Sequence, residues 1–128
     1  MTTIEQTALN NLIHNEPYAR KVLPFIKGDY FSDRTERIVF EEIQKFVDKY
    51  NALPNQNSLE VELDSRKDLN EEDYKRVLSV LKSLKSDDDV NFEWLVETTE
   101  QFCKDKAVYN AIVAGIKIIE GKDNERGV

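Results

Sequence analysis

The chain is predicted to be all-α, a compact bundle of about five helices followed by a long projecting C-terminal helix, and three observations carry that prediction. Apolar side chains recur at intervals of three and four along most of its length, the spacing of one face of a helix. Only 4 Gly and 3 Pro punctuate 128 residues that are 40% hydrophobic and 34% charged, the composition of a charged-surface helical protein rather than a disordered or all-β one. From Asn91 the chain then runs without Gly or Pro until Gly115. The length suits about one domain, able to bury roughly two thirds of its unfolded surface without metal or disulfide.

The first helix is expected from about Thr3 to His14, because Ile4, Ala8, Leu9, Leu12 and Ile13 share a face and Thr2 or Thr3 can cap it. Asn15 is a second N-cap, with Glu16 and Pro17 in a first turn where a missing N–H costs little. Gly28 and Asp29 break the pattern, and Tyr30 and Phe31 read as anchors pressed into the core. Asp33 and Glu36 have capping-box spacing and open the clearest helix, with Val39, Phe40, Ile43, Phe46, Val47 and Tyr50 along one side. Pro54 and three Asn make Asn51 to Asn57 a turn or loop.

Leu59, Val61 and Leu63 alternate with Glu60 and Glu62 as in a half-buried strand. A lone strand would leave backbone groups unpaired, and no second segment reads as its partner. A short helix capped by Ser58, with Leu59 and Leu63 at i and i+4, is the preferred reading; the strand is its alternative. Asn70 and the acids that follow it start a further helix ending near Lys85, with Tyr74, Val77, Leu78, Leu81 and Leu84 inward.

In the last segment Leu95, Phe102, Tyr109, Ile112, Ile116 and Ile119 approach the seam of a coiled coil. A continuous helix here would have about 29 residues and a length of roughly 43 Å, more than a compact small domain needs. The chain therefore divides into a globular helical part at 1–90, a long projecting helix at 91–120 and a polar linker at 121–128.

The net charge of −7 is local: residues 57–100 hold 13 acidic and 6 basic side chains, while the remainder balances. No basic stripe suited to phosphates is visible, so direct nucleic-acid binding is not expected, and a basic protein partner is easier to defend. Glu71, Glu72, Asp73, Asp87, Asp88 and Asp89 are the candidate partner-binding residues, against the plainer reading that they solubilise the surface and cap helices. A single Cys excludes an internal disulfide, and no apolar run suits a signal peptide or membrane span. Catalytic and metal residues are not expected. His14 sits at a helix end, and Cys103 lacks a partner cysteine. The acidic run lacks the spaced ligands of a calcium loop and reads as a solvated loop capping the next helix. Gly115 to Asp123 fails as a phosphate loop, since five residues separate its glycines and Asp123 stands where a Ser or Thr should hold magnesium; the glycines read instead as the end of the helix.

The order of segments resembles the N-terminal domain of DnaB-type replicative helicases, in the form found in T-even-type bacteriophages. The resemblance rests on Glu5-Gln6 with Leu9, Leu12 and Ile13, on Gly28-Asp29-Tyr30-Phe31, and on Val39-Phe40-Glu41-Glu42-Ile43. It continues through Leu53-Pro54, the Leu59, Val61 and Leu63 pattern, and Trp94-Leu95-Val96 with Glu97 and Thr99-Glu100. It implies a helical Leu59 to Leu63 segment. It also implies the collar of a hexameric ATP-dependent 5′-to-3′ DNA helicase in the cytoplasm of the bacterial host, with self-association, primase and a helicase loader as interactions. The long helix at 91–120 would be the first half of a helical hairpin serving oligomerisation, with the six seam residues its interface and 121–128 a polar linker or truncated hairpin turn. No cofactor is expected in this chain, ATP and Mg belonging to a motor domain that would make this an N-terminal fragment. Many bacterial members carry His where this chain has Glu36, so no role of that His transfers. The alternatives are the helicase-binding domain of a primase and a small stand-alone phage adaptor.

Overall fold

The computed structural model describes residues 3–86 and 89–126, with side chains as far as Gly121. Six α-helices follow one another: α1 (Ile4–His14), α2 (Glu16–Val22), α3 (Arg34–Tyr50), α4 (Gln56–Asp64), α5 (Glu71–Ser83) and α6 (Phe92–Arg126), with a 3₁₀ turn at Gly28–Tyr30. There is no strand among the described residues.

Most helix starts follow from side chains that satisfy the orphan N–H groups of a first turn. Thr3 Oγ1 accepts from Gln6 N at 3.2 Å while Gln6 Oε1 accepts from Thr3 N at 3.2 Å, a closed capping box. Asn15 ends α1 and caps α2, accepting from Tyr18 N at 3.2 Å, with Pro17 in the first turn. Asn70 caps α5 through Asp73 N at 2.7 Å. At the other end of α3, Asn51 adopts the left-handed conformation with φ 51°, which Asn tolerates better than most residues and which turns the chain out of the helix.

Three local expectations are corrected. Asp33 Oδ1 caps α3 through Thr35 N and Glu36 N, but Glu36 does not return the bond, so only half the box forms. The N-cap of α4 is Asn55 rather than Ser58: Asn55 Oδ1 accepts from Ser58 N at 2.8 Å and from Ser58 Oγ at 2.9 Å. Asn91 caps α6 through Trp94 N at 2.9 Å. The acidic run was expected to do so; Asp87 and Asp88 lie outside the described residues.

The segment at Leu59 to Leu63 is helical, and packing explains it. Leu59 and Leu63 are buried one turn apart, whereas Val61 points away and is 67% exposed. A strand would have put all three on one face. Gln56 Nε2, at the start of α4, donates to Leu81 O and Leu84 O at 2.9 and 2.8 Å, tying α4 to the carbonyl end of α5.

Helix α3 is the centre of the body, packing against α1, α4, α5 and the 3₁₀ turn. Its Phe40 stacks on Phe31 with ring centroids 5.0 Å apart, among fully buried Leu9, Leu12, Tyr18 and Ile43. Arg66, in the loop after α4, reaches the buried Glu42 of α3 at 3.1 Å and also pairs with Asp68, whose carboxyl that guanidinium holds down to about 2. Removing the cation from a buried pair strands the carboxylate. Arg66→Ala is expected to lower unfolding stability by about 3 kcal/mol in urea melts at neutral pH, whereas the exposed Arg20→Ala changes it by less than about 1 kcal/mol.

Candidate interaction surface

Helix α6 is 35 residues long, about 52 Å. It continues past residue 120 through the region read as a polar linker, and it runs through both Gly115 and Gly121, which therefore do not mark its end.

Its first third belongs to the body. Leu95, Val96, Thr99 and Cys103 are buried against α1, α2 and the 3₁₀ turn. Thr99 donates its hydroxyl proton to Leu95 O at 2.7 Å, which leaves its oxygen to accept from Tyr18 OH at 2.8 Å. Burial pushes the Tyr18 phenol up to about 12, against the opposing effect of its bond to Thr99. Burial likewise raises the Cys103 thiol to about 11, which keeps it protonated and unreactive at neutral pH. Two further polar contacts hold the helix down: Lys106 Nζ to Ser32 Oγ at 2.8 Å and Asn110 Nδ2 to Asp29 O at 3.2 Å.

Beyond Asn110 the rod meets little of the body. Val108, Tyr109, Ile112, Ile116 and Ile119 are each between 49% and 60% exposed. At about 100° per residue they fall within an arc of about 100°, turned away from the line of Leu95, Thr99 and Cys103. The result is a half-exposed apolar stripe along the second half of the helix.

The six predicted seam residues are thus divided. Leu95 is a core residue with no exposed surface, Phe102 is partly buried against the core, and Tyr109, Ile112, Ile116 and Ile119 lie on the exposed stripe. A seven-residue repeat drifts about 20° per step around a straight helix, so a seam drawn through Leu95 and Phe102 leaves the core face before it reaches Ile112. Val108, omitted from that seam, belongs to the stripe; its signal was the i, i+4 relation to Ile112.

The acidic candidates at the start of α5 already have partners. Glu71 pairs with Lys75 at 3.4 Å, Glu72 with Arg76 at 3.2 Å, and Asp73 with Arg34 of α3 at 2.9 Å. All three also occupy the first turn, where the helix dipole favours negative charge. Asp89 is exposed in the turn before α6.

Gly115 to Asp123 is helical rather than a phosphate-cradling loop, and no group of three or more His, Cys, Asp or Glu among the described residues is arranged to hold a metal ion. No helix among them is long and apolar enough to cross a membrane.

The chain is 31% identical over 116 residues to a DnaB-like replicative helicase of Enterobacteria phage T4. That alignment takes in 91% of this chain and 23% of the length of that relative. The resemblance to DnaB-type helicases read from the sequence is borne out by it. No family model matches the chain.

Because Tyr18 and Thr99 join α2 to the root of α6, their bond is measurable in two ways. Tyr18→Phe is expected to cost about 1 kcal/mol, read by thermal melts at pH 7. The raised phenol makes the folded state hold its proton more tightly than the unfolded chain does, so stability falls as pH rises from 10 towards about 12, and Tyr18→Phe removes the Tyr18 share of that slope, leaving the part due to Cys103. Ultraviolet titration of tyrosinate checks the midpoint.

Proposed function

We propose that this chain, whose sequence aligns with one stretch of a DnaB-like replicative helicase, acts as an N-terminal collar domain of a ring-forming replicative helicase. Its task in that reading is to hold subunits together and to offer docking surfaces, while nucleotide chemistry with ATP and Mg belongs to a motor segment elsewhere in the parent protein. The observation that carries the proposal is the exposed stripe of Val108, Ile112, Ile116 and Ile119 on a helix that outruns its own body. The relative is a helicase, which favours this reading over the helicase-binding domain of a primase.

Energetics set how strongly two stripes should pair. Fully burying a Val or Ile side chain stabilises by about 1.5–3 kcal/mol, and these are about half exposed, so each contributes on the order of 1 kcal/mol. Association costs about 4–15 kcal/mol in lost freedom. The stripe alone therefore supports weak pairing, and a returning hairpin helix in the parent would enlarge the apolar surface. Sedimentation equilibrium should show mass rising with concentration for the chain, and Ile112→Asp with Ile116→Asp should hold it monomeric at unchanged helical circular dichroism. A chain that stays monomeric throughout, or a double variant that still associates, overturns the proposal.

A primase is the second partner in this reading, steered by the acids of α5 and the turn before α6. Since Glu71 and Glu72 are exposed and their pairs with Lys75 and Arg76 are i, i+4 surface pairs of little energetic weight, they remain able to meet a basic surface. Glu71→Lys with Glu72→Lys in the full-length helicase is expected to reduce primase-stimulated unwinding severalfold while leaving unstimulated unwinding intact. Equal stimulation would assign these residues to solubility and helix capping.

A further inference from the structure

A second feature lies away from α6. Gln6 and Asn10 of α1, Asp33 and Glu36 at the start of α3, and Ser83 and Leu84 at the end of α5 line an open cleft of about 350 Å³. None of its described lining residues is basic. The carbonyl end of α5 adds partial negative charge.

Glu36 is the anomaly in this wall. It is 9% exposed, and its Oε2 has no hydrogen-bond partner. Burial, with Asp33 and Glu5 close by, raises its carboxyl above the ordinary value. Buried polar groups are nearly always paired, and one left alone destabilises the fold that carries it. A half-formed capping box is no compensation, because both cap bonds are made to one oxygen of Asp33, Oδ1, and Glu36 does not return them.

We propose that this cleft receives an arginine side chain of a protein partner, its guanidinium held between the Glu36 and Asp33 carboxylates. Among the described residues no group of three His, Cys, Asp or Glu is arranged here to hold a metal ion, and the sign of the walls excludes an anion. The planar fork of a guanidinium matches carboxylate oxygens in pairs, which a compact, strongly hydrated ammonium does not. The broad terminal torsion of Glu36 lets its carboxylate turn to meet the group. A net charge of −7 draws basic partners to the chain. The cleft contains no residue of α6, so it can be filled whether or not the stripe is paired.

The test uses the isotopically labelled 128-residue chain titrated with N-acetyl-arginine amide, and with N-acetyl-citrulline amide as the uncharged control of the same shape. Saturable amide shifts at Asn10, Asp33, Glu36 and Ser83 are expected with the arginine derivative and none with citrulline. Glu36→Gln should weaken binding roughly tenfold, and should also raise the melting temperature of the free chain, because the charge kept for the partner is a burden without it. Ser83→Phe, an exposed position at the rim, should block binding with the melting temperature unchanged. Equal shifts from both probes, no shifts at all, binding indifferent to Glu36→Gln, or a Glu36→Gln chain that melts lower or fails to fold would each overturn the proposal, the last by assigning Glu36 to the stability of the fold.

Discussion

The burial of the first third of α6 is the constraint on which the rest depends. Leu95, Val96, Thr99 and Cys103 insert into the space beside α1 and α2, and the Tyr18–Thr99 bond ties the root of the helix to a residue 81 positions earlier. A 35-residue helix has no reason to stand in one direction unless one end is fixed. Here that end is fixed by packing, while Lys106 and Asn110 add polar contacts as the rod leaves the body. Removing the anchor would leave the stripe intact but unaimed.

The two apolar faces of α6 have different owners. The core face satisfies itself within the chain; the stripe of Val108, Ile112, Ile116 and Ile119 is about half exposed to solvent. A helix apolar on more than one side is normally buried all round, and this one is not. A surface on a rigid helix rooted in a core is also more sharply positioned than one on a loop.

Charge follows the same division between internal use and external offer. Glu42 is buried but matched by Arg66, and the acids that open α5 sit where the helix dipole and nearby cations suit them. Glu36 has burial without a match. Sites that break a local rule in an otherwise consistent chain are where function is to be sought, and the same helix start shows the contrast, since Asp33, three residues away, has its Oδ1 paired with two N–H groups.

Much of the fold was legible in the residues because its causes are short-ranged. Thr3, Asn15, Asp33 and Asn70 cap helices through bonds to N–H groups two or three residues on, and apolar intervals of three and four state which side turns inward, so α1, α2, α3 and α5 could be placed from the chain alone. The cap of α4 was read as Ser58, whereas Asn55, three residues earlier, makes it, and Gln56 beside that cap reaches the end of α5, a contact between residues 25 apart. The sequence by itself determined the helices, their order and the excess of apolar surface in the last one. Only tertiary structure decided that Leu95 serves the core while Ile112 faces solvent, and that Glu36 is enclosed without a partner. Those outcomes depend on which helices meet and at what rotation, quantities set by contacts between residues far apart in the chain.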